Sequence, residues 1–183
     1  MKLHFVLKPA AVAATMLLLS AAQAATITKA DYQASKTRIS ADYKADKTAC
    51  APLAANAKDI CIEEAKANEK VARAELEYSF TGKSRDRNMV LVAKAESTYA
   101  VAKEKCDDKA GNDKDVCVKE AKAVEVKALT DAKLGKEIGD ARKDATDEKR
   151  DADYKVAIEK CGALAGDAKA ACVTSAKAKF GKN

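Results

Sequence analysis

The chain contains no tryptophan, a single histidine and only two prolines among its 183 residues. The histidine, His4, lies within the first 24 residues. Beyond them, catalytic Ser-His and Cys-His pairs and histidine metal sites are therefore excluded. Glycine is also scarce, with seven residues, and the sequence has neither a glycine-rich phosphate loop nor a nucleophile elbow. The sequence therefore predicts a protein that is not an enzyme, with no catalytic residue, no metal ligand and no cofactor.

The first 24 residues have the pattern of a cleavable signal peptide. Lys2 and Lys8 give a positively charged start, and residues 10–19 form a short apolar run. Residues 22–24, Ala-Gln-Ala, match the small-x-small pattern that signal peptidases cut. The run is shorter than the ~20 apolar residues that span a membrane. We therefore expect cleavage after Ala24, an exported chain of residues 25–183, and no membrane span after cleavage.

Large apolar residues are scarce as well. Val, Ile, Leu and Phe make up 24 of the 159 residues after position 24, about 15 %, which is below the ~20 % at which a chain becomes a candidate for disorder. The same segment carries 34 alanines, and alanine has the highest helix propensity. Without Lys2 and Lys8 the net charge falls from +6 to +4. The composition predicts long helices around a thin core that needs support from another source.

That source is predicted by a repeated spacing that includes every cysteine. A tyrosine precedes a cysteine by seven residues, and a second cysteine follows eleven residues later. This pattern occurs three times, at Tyr43, Cys50 and Cys61, at Tyr99, Cys106 and Cys117, and at Tyr154, Cys161 and Cys172. The copies are offset by 56 and 55 residues, as expected for tandem helical hairpins. We divide the chain into a signal peptide (1–24) and hairpin repeats at 25–82, 83–135 and 136–183.

Two conformations compete for each Cys-x10-Cys segment. One continuous helix would hold the two Cα atoms roughly 16 Å apart, too far for a disulfide, which needs about 5.5–6 Å. Each segment instead contains a helix breaker: Pro52, Gly111, or Gly162 with Gly166. An exported chain with an even number of cysteines also favours disulfides. The sequence therefore predicts that each pair closes its own hairpin.

The predicted fold is all-α, with three tandem antiparallel hairpins, about six helices and one disulfide in each hairpin. Tyr43, Tyr99 and Tyr154 lie two turns before a cysteine, and we expect them to pack the seam below each bridge. Gly135 and Gly139 are expected to mark a break between helices. The apolar run at residues 89–92 is expected to be the best-buried turn of the molecule.

Two segments rich in Ala, Lys and Glu, residues 121–125 and 176–179, resemble the long helical middle region of TolA, a periplasm-spanning protein. The resemblance covers about residues 60–150. The leader and the paired cysteines are more similar to small uncharacterised exported proteins of proteobacteria that are loosely labelled TolA-like. This resemblance implies a helical protein of the cell envelope and carries over no activity and no site residue.

The functional expectation is a non-catalytic structural or interaction protein of the bacterial envelope, periplasmic or secreted, chaperone-like or stress-related. Its partner would be an envelope protein or peptidoglycan. The alternative is a periplasmic protein that binds metals or buffers redox state through its thiols. Nucleic acid is not expected as a partner, because the lysines of the Ala-Lys-Ala runs at 65–67, 121–123 and 176–178 alternate with acidic residues. We interpret these runs as solvated helix faces.

Overall fold

A computed structural model describes residues 27–182, and this part of the chain folds into five α-helices with no β-strand. The predicted all-α class is confirmed. The proposed signal peptide lies outside the described residues. In chain order the helices are α1 (Lys29–Ala49), α2 (Ala55–Thr81), α3 (Ser84–Cys106), α4 (Gly111–Cys161) and α5 (Gly166–Phe180).

The helices form a layer one helix thick. Among the described residues, each helix contacts only the helices adjacent to it in sequence. On α3, Ala93 and Ser97 are buried on the side that faces α2, whereas Ala95 and Cys106 are buried on the side that faces α4. These are opposite sides of the helix at 100° per residue. The two remaining faces of α3 are therefore open to solvent.

The core is thin, as the composition predicted, and most of its members are small. The buried apolar residues are Ile39, Cys50, Ala65, Val90, Ala93, Ala95, Cys106, Ala132, Cys161 and Ala176. The expectation for residues 89–92 was wrong, because only Val90 is buried, while Met89 and Leu91 are about half exposed. Met89 and Leu91 point to the two open faces of the layer, where no neighbouring helix covers them.

The count of about six helices is corrected to five, because α4 continues through Gly135 and Gly139 as one helix of 51 residues. A glycine in a helix costs only about 1 kcal/mol relative to alanine. Ion pairs one turn apart accompany this part of α4, with Lys133 bonded to Glu137 and Lys136 to Asp140. The proposed boundary between residues 135 and 136 therefore falls inside a continuous helix about 77 Å long.

A buried carboxylate joins α2 to α3. Thr81, the last residue of α2, donates a 2.6 Å hydrogen bond to Asp86, and Arg85 donates another at 3.1 Å. The hydrogen bond from Thr81, with the neighbouring charge of Arg85, lowers the pKa of Asp86 from its ordinary value of 3.8, although burial opposes the shift. The carboxylate therefore holds the end of α2 to the first turn of α3 through side chains, while the N-cap residue of α3, Lys83, has no side-chain hydrogen bond.

The lowered pKa gives Asp86 an acid-dependent contribution to stability. A group whose pKa is lower when folded stabilises the protein above its unfolded pKa and loses this contribution as the pH falls through the folded value. The Asp86→Asn variant is therefore expected to be less stable than wild type at neutral pH, and the difference should shrink below about pH 3.8. Urea unfolding followed by circular dichroism at neutral pH and at about pH 3 measures it. An equal difference at both values would contradict the assignment.

Candidate functional site

The six cysteines form the three predicted disulfides, Cys50–Cys61, Cys106–Cys117 and Cys161–Cys172. In each pair the Cα atoms are 5.7 Å apart. The first cysteine of every pair is 1 % exposed and the second is half-buried. No free cysteine occurs between residues 27 and 182. Three disulfides indicate a non-reducing compartment.

The three turns beneath the bridges share one backbone conformation. Four residues after the first cysteine, an alanine adopts an extended conformation, with φ between −127° and −131°. The next residue has a positive φ: 47° at Ala55, 54° at Gly111 and 56° at Gly166. Asn or Asp follows in every copy. The spacing of the cysteines does not indicate this turn, although the three repeats share the order Ala, then Ala or Gly, then Asn or Asp.

Ala55 is the one non-glycine residue with a positive φ in the described chain. This conformation costs roughly 1–2 kcal/mol for an L-residue with a Cβ, which exceeds the extra chain entropy that a glycine loses on folding. Ala55→Gly is therefore expected to stabilise the protein by up to about 1 kcal/mol. The matched change in the second turn, Gly111→Ala, should destabilise it by about the same amount, although a Cβ there meets no atom within 4 Å.

Chemical unfolding of both variants beside wild type tests the shared turn. We expect the free energy of unfolding to rise in Ala55→Gly and to fall in Gly111→Ala. Destabilisation by Ala55→Gly, or no effect of Gly111→Ala, would show that the positive φ is not a source of strain in these turns.

The tyrosines predicted to pack the seams are all half-buried. Their surroundings differ. The ring of Tyr99 lies 4.8 Å below the ammonium group of Lys122, which also donates a 2.5 Å hydrogen bond to the buried carboxylate of Glu125. That hydrogen bond raises the pKa of Lys122. Tyr154 contacts Phe180 of α5 at a ring distance of 6.1 Å.

The first hairpin has a further aromatic contact that the spacing did not indicate. The Tyr32 hydroxyl donates a 2.9 Å hydrogen bond to Glu77, and this bond raises the pKa of Tyr32. Its ring lies 4.6 Å from that of Phe80. Tyr32 therefore joins the beginning of α1 to the end of α2. The repeats gave no signal for it, because Asn88 occupies the equivalent place in the second copy.

The interpretation of the Ala-Lys-Ala runs as solvated helix faces holds for Lys66 and Lys122 but not for the first alanine of each run. The lysines Lys66 and Lys122 are exposed, as expected for a solvated face. The first alanine of each run, however, packs against the neighbouring helix: Ala65 and Ala176 are buried and Ala121 is half-buried. These alanines follow the second cysteine by four residues, so each continues the close seam one turn beyond the bridge.

The open faces of the layer carry grooves between the helices. One of them, between α2 and α3, has a volume of about 610 Å³. Its floor is formed by small and apolar side chains: Ala67, Val71, Ala72, Val101 and Ala102. Ser97 also lies in this groove, is 7 % exposed, and its Oγ has no hydrogen-bond partner among the described residues. The groove therefore has an apolar floor, beneath which one unpaired hydroxyl is buried.

Two ion pairs cross this groove. Lys94 bonds Glu75 at 2.7 Å, and Lys105 bonds Glu64 at 2.8 Å. The two lysines are eleven residues apart on α3, so the pairs are separated by roughly 16 Å. All four side chains are about half exposed. They frame a surface long enough for a few residues of a peptide or for a sugar chain of similar length.

The opposite face of the same two helices has a second groove of about 600 Å³. It is more strongly charged, since Lys70, Arg73 and Arg85 line it together with Glu77 and Glu96. Lys70 bonds Glu96 across it at 2.6 Å. Both faces thus have apolar floors between paired charges.

No protein-family model, no curated protein and no solved structure matches this chain. Among residues 27–182, no group of three or more His, Cys, Asp or Glu side chains is placed to hold a metal ion. No helix in that range is both long and apolar enough to cross a membrane. The structure itself defines the class: an all-α, disulfide-linked layer of helices with two open faces.

Proposed function

We propose that the protein is a non-catalytic interaction component of the bacterial cell envelope. The observation that supports this function most directly is the single-layer arrangement, which leaves grooves with apolar floors open on both faces. A chain that only needed stability would cover such surface in a closed bundle. The disulfides and the expected signal peptide support a periplasmic or secreted location.

The partner is an envelope protein or peptidoglycan, bound on the face that carries the groove between Lys94 and Lys105. The charged pairs at each end offer polar contacts, and the alanine floor admits a slender chain. Binding in this groove would remove the small apolar surface from water without a large change in the helices, because the disulfides fix each turn.

Site-specific photocrosslinking tests this function. A photoreactive amino acid replaces Thr98, an exposed residue at the groove, and, as a matched control, Thr37, an exposed residue on the outer side of α1. Crosslinking in intact cells should attach one defined envelope component at position 98 and none at position 37. Thr98→Arg, which places a large charged side chain at the groove, should abolish binding of the isolated component. Absence of any adduct, or the same adducts at both positions, would contradict the proposal.

The alternative, thiol-dependent metal binding or redox buffering, requires reduced cysteines. All six are paired in disulfides, and the first of each pair is almost fully buried. We therefore favour the interaction role. Counting free thiols in protein isolated from its native compartment separates the two: no free thiol supports the interaction role, and metal-titratable thiol pairs support the alternative.

A further inference from the structure

The outer edge of α4 has no partner helix in the described chain. Both α3 and α5 pack on one side of α4, since all its buried and half-buried residues, from Lys114 to Cys161, fall within about 160° of arc at 100° per residue. The opposite side is exposed along the whole helix. By contrast, α2 and α3 each have a neighbour on both sides. The layer thus ends at α4 with a free edge.

Four large apolar side chains lie in line along this edge. Val116, Leu134, Ile138 and Val156 are 43 %, 53 %, 45 % and 54 % exposed. Eighteen residues complete five turns of an α-helix, so Val116 lies on one line with Leu134, and Ile138 with Val156. The two lines differ by about 40°. Between these residues the same edge carries four small side chains, Ala123, Ala141, Ala145 and Ala152, and two charged ones, Glu120 and Lys127.

The four apolar positions are symmetric about residue 136. Val116 and Val156 are each twenty residues from it, and Leu134 and Ile138 are each two residues from it. A two-fold axis that pairs identical antiparallel helices places residue i opposite residue j at a constant sum of i and j. We propose that α4 pairs with α4 of a second copy in this antiparallel register, with Val116 opposite Val156 and Leu134 opposite Ile138.

Two charge pairs along the edge are complementary in this register. Glu120 comes within one turn of Lys149 of the second copy and Asp131 within one turn of Arg142, whereas Lys127 comes within one turn of both Glu148 and Arg142. The two-fold axis repeats each of these contacts. Since α3 and α5 lie on the far side of α4, no described residue obstructs the approach.

The contact area is sufficient for a specific dimer. The apolar edge spans forty residues, or about 60 Å, and a helix with its side chains is about 10 Å wide. The footprint is therefore about 600 Å² per partner and about 1,200 Å² in total, at the lower end of the range for stable interfaces. This inference is independent of the envelope partner proposed for the groove, because the groove lies between α2 and α3.

Sedimentation equilibrium of the oxidised chain, residues 25–183, tests the dimer. We expect the mass of two chains at about 50 μM protein. Leu134→Lys places two charges at the centre of the interface and should raise the dissociation constant about 100-fold. The control is Leu91→Lys, which changes a residue of similar exposure, 47 %, on α3. It should leave the dimer unchanged. A monomeric wild type, or equal effects of the two variants, would overturn the proposal.

Two further measurements test the register. Asp131→Arg should weaken the dimer about tenfold, and adding Arg142→Asp in the same chain should restore it, because the swapped charges then meet across the axis. A photoreactive residue at position 134 should label the peptide that contains Ile138 of the second copy. Failure of the swap to restore dimerisation overturns this register. Labelling of residues 1–26 of the full chain, or of another protein, in place of the Ile138 peptide overturns the second copy as the occupant.

Discussion

Replacing Cys106 and Cys117 together by serine is expected to lower the free energy of unfolding by about 3 kcal/mol. The bridge closes a loop of about twelve residues and so restricts the unfolded chain. It also holds α3 against α4 at a seam made of small side chains, where Ala95 and Ala132 are the main buried residues besides the cysteine itself. A core this thin leaves little margin, since domains are typically stable by only about 5–15 kcal/mol. Urea unfolding of the oxidised variant and wild type measures the difference.

The third disulfide provides the control for this prediction. α5 has only 15 residues, with Ala176 as its one buried side chain, and it contacts no helix other than α4. A helix of that length is marginal in isolation. Replacing Cys161 and Cys172 by serine should therefore release α5 locally, seen as fast hydrogen exchange in residues 166–180, while the midpoint for α1 to α3 stays unchanged. A small loss of unfolding free energy without the Cys106–Cys117 bridge would contradict the prediction that this bridge stabilises the whole fold. Global unfolding without the Cys161–Cys172 bridge would contradict the prediction that its effect is confined to α5.

The disulfide pairing could be predicted because covalent geometry leaves few choices. Eleven residues in a helix hold the Cα atoms too far apart for a bridge, and the residues between the cysteines favour turns over helix. The backbone conformation of the turn was not predicted. It depends on a positive φ. Gly111 and Gly166 suggest this conformation, but the alanine at position 55 does not, because alanine rarely adopts it. Aligning the three copies through the cysteines, and then comparing the residues after them, would have indicated it.

The number of helices was mispredicted for a different reason. Gly135 and Gly139 are local signals for a break, whereas the charged residues around them favour a continuous helix. Lys133, Lys136 and their acidic partners one turn later support the helix through this region. Helix formation is cooperative, so strong segments on both sides carry α4 across two weak positions.

The open layer could not be predicted from composition alone. A shortage of large apolar residues predicts a thin core, but it does not say which sides of a helix its neighbours occupy. The wrong expectation that Met89 and Leu91 are buried follows from this. Both are apolar, and both lie between the two sides of α3 that α2 and α4 cover. For the same reason, no residue of the groove or of the outer edge of α4 could be predicted from the sequence.

Replacing Ala65 by leucine is expected to destabilise the protein by about 2 kcal/mol. Ala65 is 3 % exposed, lies one turn beyond Cys61, and lines none of the grooves, so the larger side chain has no free space to enter. The disulfide between Cys50 and Cys61 prevents α1 and α2 from moving apart at that end, and the strain must go into the seam. Small residues at this seam are then a requirement of close packing and not a consequence of alanine-rich composition.

Ala41→Leu is the matched control, because Ala41 is an exposed residue of α1. It should change the free energy of unfolding by less than about 0.5 kcal/mol. Thermal and urea unfolding of both variants gives the comparison, and reducing the disulfides should make Ala65→Leu less harmful relative to wild type, since the helices can then separate. If Ala65→Leu is as stable as Ala41→Leu, the hairpins are held by their bridges alone. The repeated alanine after each second cysteine would then have no packing role.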